Sequence, residues 1–207
     1  MGALKKGEIR KNEIMDAAES LFIEKGYTYT TINDILNATG IAKGLLYYYF
    51  ESKEDILDDI IKRHGDVLVE AASIVMETEG LDAREKLLRV MLSQKPADER
   101  QSKLISDLQK SSNGHMFLKS LTDIILRLAP ILGDIVEQGI AEGEFSTHYP
   151  KESAEILLAA AHSLFDNANF RWTPEEQIKK ISAFICAAER ILGTEEGALL
   201  KMIALFE

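Results

Sequence analysis

Residues 30–53 read TTINDILNATGIAKGLLYYYFESK, and their punctuation prescribes a short helix, a tight turn, a second short helix and an immediate re-entry into a third. Thr31 stands three residues before Asp34, the spacing of a capping box, in which hydroxyl and carboxylate each satisfy a free backbone N–H at a helix start. Ile32, Ile35 and Leu36 then share one face, and Asn37-Ala38-Thr39-Gly40 stops the run, glycine being able to take the positive φ of a helix exit. Ile41 anchors the turn. Ala42-Lys43-Gly44-Leu45 opens the second helix and Tyr47, Tyr48, Tyr49 and Phe50 close it, which is the pattern of a helix-turn-helix. Ser52 and Asp55 repeat the S-x-x-D cap and start a longer helix with Lys53 in its first turn.

Working outward, an arm carrying Lys5, Lys6, Arg10 and Lys11 leads into Ile14, Ala17, Ala18, Leu21 and Phe22, one apolar stripe at helical spacing that Gly26 ends. This stripe is expected to pack behind the helix-turn-helix with Ile35, Leu46 and Phe50, completing a three-helix domain over residues 1–51. From Ser52 the next helix carries Ile56, Leu57, Ile60 and Ile61 inward and continues through Val67, Leu68, Ala71 and Ala72, so one rod enters the remainder, residues 52–207.

Ile9 to Leu57, and above all TTINDI, GIAKGLLYYYF and SKEDIL, resemble the N-terminal DNA-binding domain of the TetR family of repressors. Two positions depart from the family pattern: Ala42 stands where Ser or Thr is usual and Leu45 where Thr is frequent. Losing a hydroxyl N-cap typically costs about 1 kcal/mol, so the departures bear on affinity and sequence preference more than on fold. The resemblance implies that Lys43, Gly44 and Leu45 face the major groove, Leu45 being suited to a thymine methyl. It implies that Tyr47 and Tyr48 flank that contact and that Thr31, Tyr49 and Lys53 act as phosphate clamps. It also implies a ligand-responsive transcriptional repressor that binds a palindromic double-stranded DNA operator as a homodimer and leaves it when a small-molecule effector binds.

The chain has 207 residues, 46% of them hydrophobic and 28% charged, ordinary for one large or two modest globular domains. With a single cysteine, Cys186, it can form no intramolecular disulfide and no cysteine-based metal cluster, which suits a reducing compartment. The opening MGALKKGEIRKNEI lacks the apolar block of a signal peptide, and no later run approaches the roughly 18 apolar residues of a membrane span. A cytoplasmic location without membrane contact is expected. The net charge of −10 runs against nucleic-acid binding, and the first sixty-odd residues are not net basic either, so any DNA footprint must come from locally placed cations. Such binding weakens steeply with salt.

Beyond Gly80 the pattern stays helical, and the fold class is all-α. Leu87, Leu88, Met91 and Leu92 mark one helix; Lys95-Pro96-Ala97-Asp98 is a break; Arg100 to Lys110 is a short polar helix; Ser111 to Gly114 is a turn. A long apolar helix from Met116 is expected to break at Pro130, because proline lacks the N–H and crowds the preceding turn, and to resume from Ile131 to Ala141. The following GIAEGEF is similar to a segment ahead of the penultimate helices in many TetR-family members. Pro150 and Glu152 open a helix through Phe165, Thr173-Pro174-Glu176 opens another from Ile178 to Leu192, and Glu195 to Phe206 makes a short terminal helix.

Asp55, Asp58 and Asp59 share one helix face and invite an all-α magnesium-dependent enzyme, but such a site needs convergent ligands from elsewhere and no second acidic motif supplies them. No cofactor or metal is expected. His162, four residues before Asp166, reads first as a satisfied buried histidine, then as a ligand contact, and last as a metal ligand. Met91, Met116, Phe117, Phe165, Phe170 and Trp172 are core residues by default, yet with Leu121, His162, Asn167 and Asn169 they also suit an apolar pocket with few polar groups. Met91, Phe117, Leu121, His162, Phe165, Asn169 and Trp172 are accordingly the expected effector contacts. Ala159 and Ala160, which permit close helix approach, and Ile178, Ile181, Ile185 and Ala188 are the expected two-fold interface. A DNA-binding helical protein governed by a protein partner is the alternative.

Overall fold

The structure, a computed structural model, describes residues 6–94, 114–165 and 172–205. Among these are eight α-helices and no strand: α1 (Lys6–Lys25), α2 (Ile32–Thr39), α3 (Lys43–Tyr49), α4 (Lys53–Glu77), α5 (Ala83–Ser93), α6 (Gly114–Glu142), α7 (Pro150–Leu164) and α8 (Pro174–Leu192). A 3-10 turn, Leu200–Leu205, follows. The expected break at 95–98, the helix at 100–110 and most of the turn at 111–114 lie outside the described residues, as do Lys5, Asp166, Asn167, Asn169 and Phe170.

The chain divides into two compact units. The described part of the first is 6–64 with 114–120, and the second holds 65–94, 121–165 and 172–205. Both α4 and α6 carry residues of each unit. The first unit is built as the apolar stripes require: Ile14, Ala18 and Phe22 of α1, Ile35 of α2, Leu46 of α3 and Phe50 behind it are all buried with Ile56, Leu57 and Ile60 of α4. Each of the larger side chains among them, Ala18 excepted, contributes roughly 1.5–3 kcal/mol on leaving water. Met15 is buried where Ala17 and Leu21 are only partly so. Met116, from the first turn of α6, is 2% exposed in this same core, a contact across some sixty residues of sequence.

In the second unit Ala83, Leu87 and Val90 of α5 pack with Leu128, Ala129, Leu132, Ile135 and Val136 of α6, Ala154 and Leu158 of α7, and Ile181, Ile185, Ala188 and Leu192 of α8. Val90 takes the inward place and Leu92 is exposed. α6 runs through Pro130 without interruption. Pro130 lies on the exposed face of α6, as does Leu126 one turn earlier, whose carbonyl loses its helical donor there and can turn to water instead. The GIAEGEF turn has a steric cause: Gly143 adopts φ 78, and Phe145 folds back so closely on Gly139 that any side chain there would overlap its ring. Of the six residues expected at a two-fold interface, Ile181, Ile185 and Ala188 belong to this core. Ala159 and Ala160 are partly exposed and Ile178 is 66% exposed. Within the chain the stripe on α8 packs against the chain's own helices.

Candidate nucleic-acid interface

The caps that start α2 and α4 form as the spacing requires. Thr31 Oγ1 accepts from Asp34 N at 3.2 Å while Asp34 Oδ2 accepts from both Thr31 N and Thr31 Oγ1 at 2.7 Å. Gly40 exits at φ 66 with its N–H on Leu36 O, setting the angle at which α3 leaves. Ala42, without a hydroxyl, caps α3 with no side-chain hydrogen bond. Asp55 N donates to Ser52 Oγ at 3.1 Å, but the Asp55 carboxylate reaches one residue further back, to Glu51 N at 2.9 Å.

α3 is held by two residues and leaves the rest outward. Leu46 and Phe50 are buried, whereas Leu45 is 38%, Tyr47 46% and Tyr48 79% exposed. Consecutive helical residues turn about 100° apart, so three adjacent tyrosines cannot share a fate. Tyr49 packs against the core of the unit, and its hydroxyl lies where a side chain on Gly7 would meet it at 3.5 Å. Tyr48 meets the Tyr49 ring edge-on at 5.0 Å. Lys43 Nζ stands 5.8 Å from the Tyr47 ring centroid and takes part in no ion pair among the described residues. Gly44 is exposed between Lys43 and Leu45.

Most other cations of this unit are engaged. Arg10 pairs with Glu13, Lys11 with Asp59, Lys25 with Asp34, Arg63 with Asp16 and Glu19, and Lys119 with Glu54 and Asp58. The Lys25 ammonium and the two Thr31 donors hold the Asp34 carboxyl well below the usual carboxylate range. Lys53 does not extend as a free clamp: its Nζ donates to Tyr27 O at 2.7 Å and Thr30 O at 2.9 Å and lies 4.2 Å from the Tyr27 ring centroid, and burial lowers its pKa. Its long stem lets it satisfy the carbonyls of the loop ahead of α2, leaving one of three donors. Thr31 likewise spends its hydroxyl and amide donors on Asp34.

Sequence reasoning missed the loop that fixes this geometry. Thr30 Oγ1 donates to Gly26 O at 2.9 Å, and the Tyr27 hydroxyl donates to Glu54. Burial first, and the Glu54 carboxylate second, push the Tyr27 phenol up. Hydrogen bonds from Lys119, Tyr27 and His115 hold Glu54 down to about 2. The Tyr27 ring is stacked on His115 at 5.5 Å and edge-on to Phe22 at 5.0 Å. Gly26 followed by an aromatic residue was the available signal.

The three aspartates of the enzyme reading go to separate partners: Asp55 caps α4, Asp58 meets Lys119 and Asp59 meets Lys11. No group of three or more His, Cys, Asp or Glu side chains able to hold a metal occurs among the described residues. Of the expected effector contacts, Met91 and Phe165 pack against the second core, with Phe165 edge-on to Phe184 at 5.6 Å. Trp172 donates to Leu164 O at 3.3 Å under the Lys180 ammonium, 3.9 Å from its ring centroid. His162 is partly buried in the last turn of α7; Phe117 falls in the first unit and Leu121 in the second.

A helix fixed by Leu46 and Phe50 and presenting its other face outward after a glycine turn defines a helix-turn-helix regulator of transcription. Residues 14–60 match the profile described as bacterial regulatory proteins, tetR family, and residues 97–187 match the tetracyclin repressor-like C-terminal domain. The chain belongs to the TetR family. It is 28% identical over 153 residues to the HTH-type transcriptional repressor KstR2 of Rhodococcus jostii, covering 72% of this chain and 74% of that one. It is also 28% identical over 149 residues to the fatty acid metabolism regulator protein of Bacillus subtilis, covering 71% and 74%. Its fold matches that of the TetR family regulator PfmR from Thermus thermophilus at a TM-score of 0.56 and 26% identity, over 88% and 98% of the two chains. The chain is thus a DNA-binding transcriptional regulator. No helix among the described residues is long and apolar enough to cross a membrane.

Proposed function

We propose that this regulator is a homodimeric repressor that holds a palindromic operator through the outward face of α3 and releases it when an apolar or amphipathic effector binds the second unit. The observation that carries the DNA reading is the split of α3, with Leu46 buried while Leu45, Tyr47 and Tyr48 stay exposed. Lys43, Gly44 and Leu45 meet the base edges, and Tyr47 and Tyr48 supply phenol donors to flanking phosphates. Thr31 and Lys53 contribute chiefly by fixing the angle of α2 and α3, most of their donors being committed as described, and Tyr49 by packing against the core of its unit.

Two copies are needed because one helix-turn-helix gives little affinity alone, and half-sites then fall about 34 Å apart or at a multiple. The partly exposed faces of α7 at Ala159 and Ala160 and of α8 at Ile178 are available for pairing. The relative named for fatty acid metabolism, together with Met91, Phe165 and Trp172 in the second unit, supports an effector with an acyl chain and a polar head. α4, which has residues in both units, is the route by which occupancy reaches the DNA. A coupling of about 1–3 kcal/mol suffices for a 5- to 150-fold loss of operator affinity. Selection from a random duplex pool tests the first half: a palindrome is expected, and an unstructured pool refutes it. Titrating the complex with fatty acids and acyl thioesters of graded length tests the second, with release rising with chain length as the supporting result.

A further inference from the structure

Among the described residues two buried side-chain oxygens have no hydrogen-bond partner, Glu144 Oε2 and Gln94 Oε1. The first belongs to a carboxylate whose other oxygen pairs with Arg84. The second has no such explanation. Gln94 is the C-cap of α5, and its side chain reaches α4. Its Nε2 stands 3.0 Å from Ser93 Oγ, 3.3 Å from Val90 O and 3.4 Å from Leu68 O. Ser93 Oγ gives its own proton to Val90 O at 2.7 Å and so can only accept from Gln94. Turning the amide over would set Oε1 against the carbonyls of Leu68 and Val90, acceptor on acceptor, so the orientation is fixed by chemistry. Oε1 is thereby held on the far side of the amide, out of water and without a donor. A buried acceptor left unpaired is costly, and native structures supply it with a donor from the chain, from water or from a ligand. The described residues supply none. Met91, one turn earlier on α5 and packed against the second core, already belongs to the expected effector contacts.

We propose that Gln94 Oε1 is the acceptor for the polar group of the effector, which is therefore an amphipathic molecule whose polar group donates: an amide or a hydroxyl on an apolar chain. A carboxylate is acceptor-only at neutral pH and cannot satisfy that oxygen, and an ester carries no proton to give it. This rests on the reading of the second unit as the effector site, and adds the residue that chooses the head group and the chemistry it chooses.

The test is calorimetric titration of the full chain with two series of graded chain length, primary alkyl amides and the methyl esters of the same acids. Wild type is expected to bind the amide about tenfold more tightly than the ester of equal length, since the ester leaves the buried oxygen unpaired. Gln94→Met keeps the length of the side chain and removes its polar end. In that variant the preference is expected to shrink to about twofold or less, with ester affinity equal to or above that of wild type. Equal affinities for amide and ester in wild type overturn the proposal, the oxygen then being met by a buried water only. An undiminished preference in Gln94→Met overturns it as well. The comparison within wild type needs no variant and decides the matter even where Gln94→Met does not fold. Binding of neither series at any length is a different failure: it removes the reading of the second unit as the site of an apolar-chain effector, and the proposal with it.

Discussion

Replacing Glu54 by glutamine keeps its shape and removes the charge that three donors share. Lys119 and the Tyr27 hydroxyl donate to its carboxylate, and His115 Nε2 stands 3.0 Å from it. These bonds hold the carboxyl at about 2 instead of its ordinary 4.5. The folded-state value is depressed, so the stabilisation is fully present above pH 4.5 and disappears as the pH falls through about 2. The full displacement would be worth about 3 kcal/mol. With the Glu54 side chain 42% exposed, solvent screening reduces this to about 1 kcal/mol. Urea denaturation of wild type and Glu54→Gln at pH 7 should therefore differ by about 1 kcal/mol, and the gap should fall to less than half of that by pH 3. A gap that stays constant from pH 7 to 3, or widens on acidification, refutes the assignment of this carboxylate as the shared acceptor of α6 and the loop before α2.

Leu46→Ala removes the side chain that fixes α3 in the core and should cost about 2–5 kcal/mol, read from the denaturant midpoint. Gly40→Ala forces a Cβ onto a backbone at φ 66 and should cost about 1–2 kcal/mol by the same assay, although the space around it is open. Lys43→Ala should leave the melting temperature unchanged, weaken operator binding, and lower the slope of log affinity against log salt by about 1 per α3 engaged. An unchanged slope would remove Lys43 from the phosphate or base contacts.

The parts of this fold legible in sequence are those whose cause is local. Thr31 with Asp34, Thr173 with Glu176, Gly40 and Gly143 each act within one turn of chain, and each forms as its spacing requires. The burial of Leu46 and Phe50 beside exposed tyrosines follows from helical rotation alone. What was hidden depends on partners distant in sequence. The stripe of Ile181, Ile185 and Ala188 is correctly an apolar face, but periodicity cannot say whether the same chain or a second copy covers it. Lys53 has a stem long enough to reach phosphate or backbone carbonyls, and only the placed loop decides for Tyr27 and Thr30. Met116 reads as the start of an apolar helix, with nothing near it to announce a seat among Ile14, Phe22 and Ile56. Pro130 reads as a break because its cost is local, and its tolerance comes from the solvent on that side of α6.

Guanine N7 lies in the major groove, so methylation interference on the selected duplex asks directly whether the exposed face of α3 enters it. The account predicts interference at guanines in two patches centred about one helical turn or a multiple apart, related by the symmetry of the site. Interference by N3 methylation in the minor groove alone, or a single unsymmetrical patch, would contradict it.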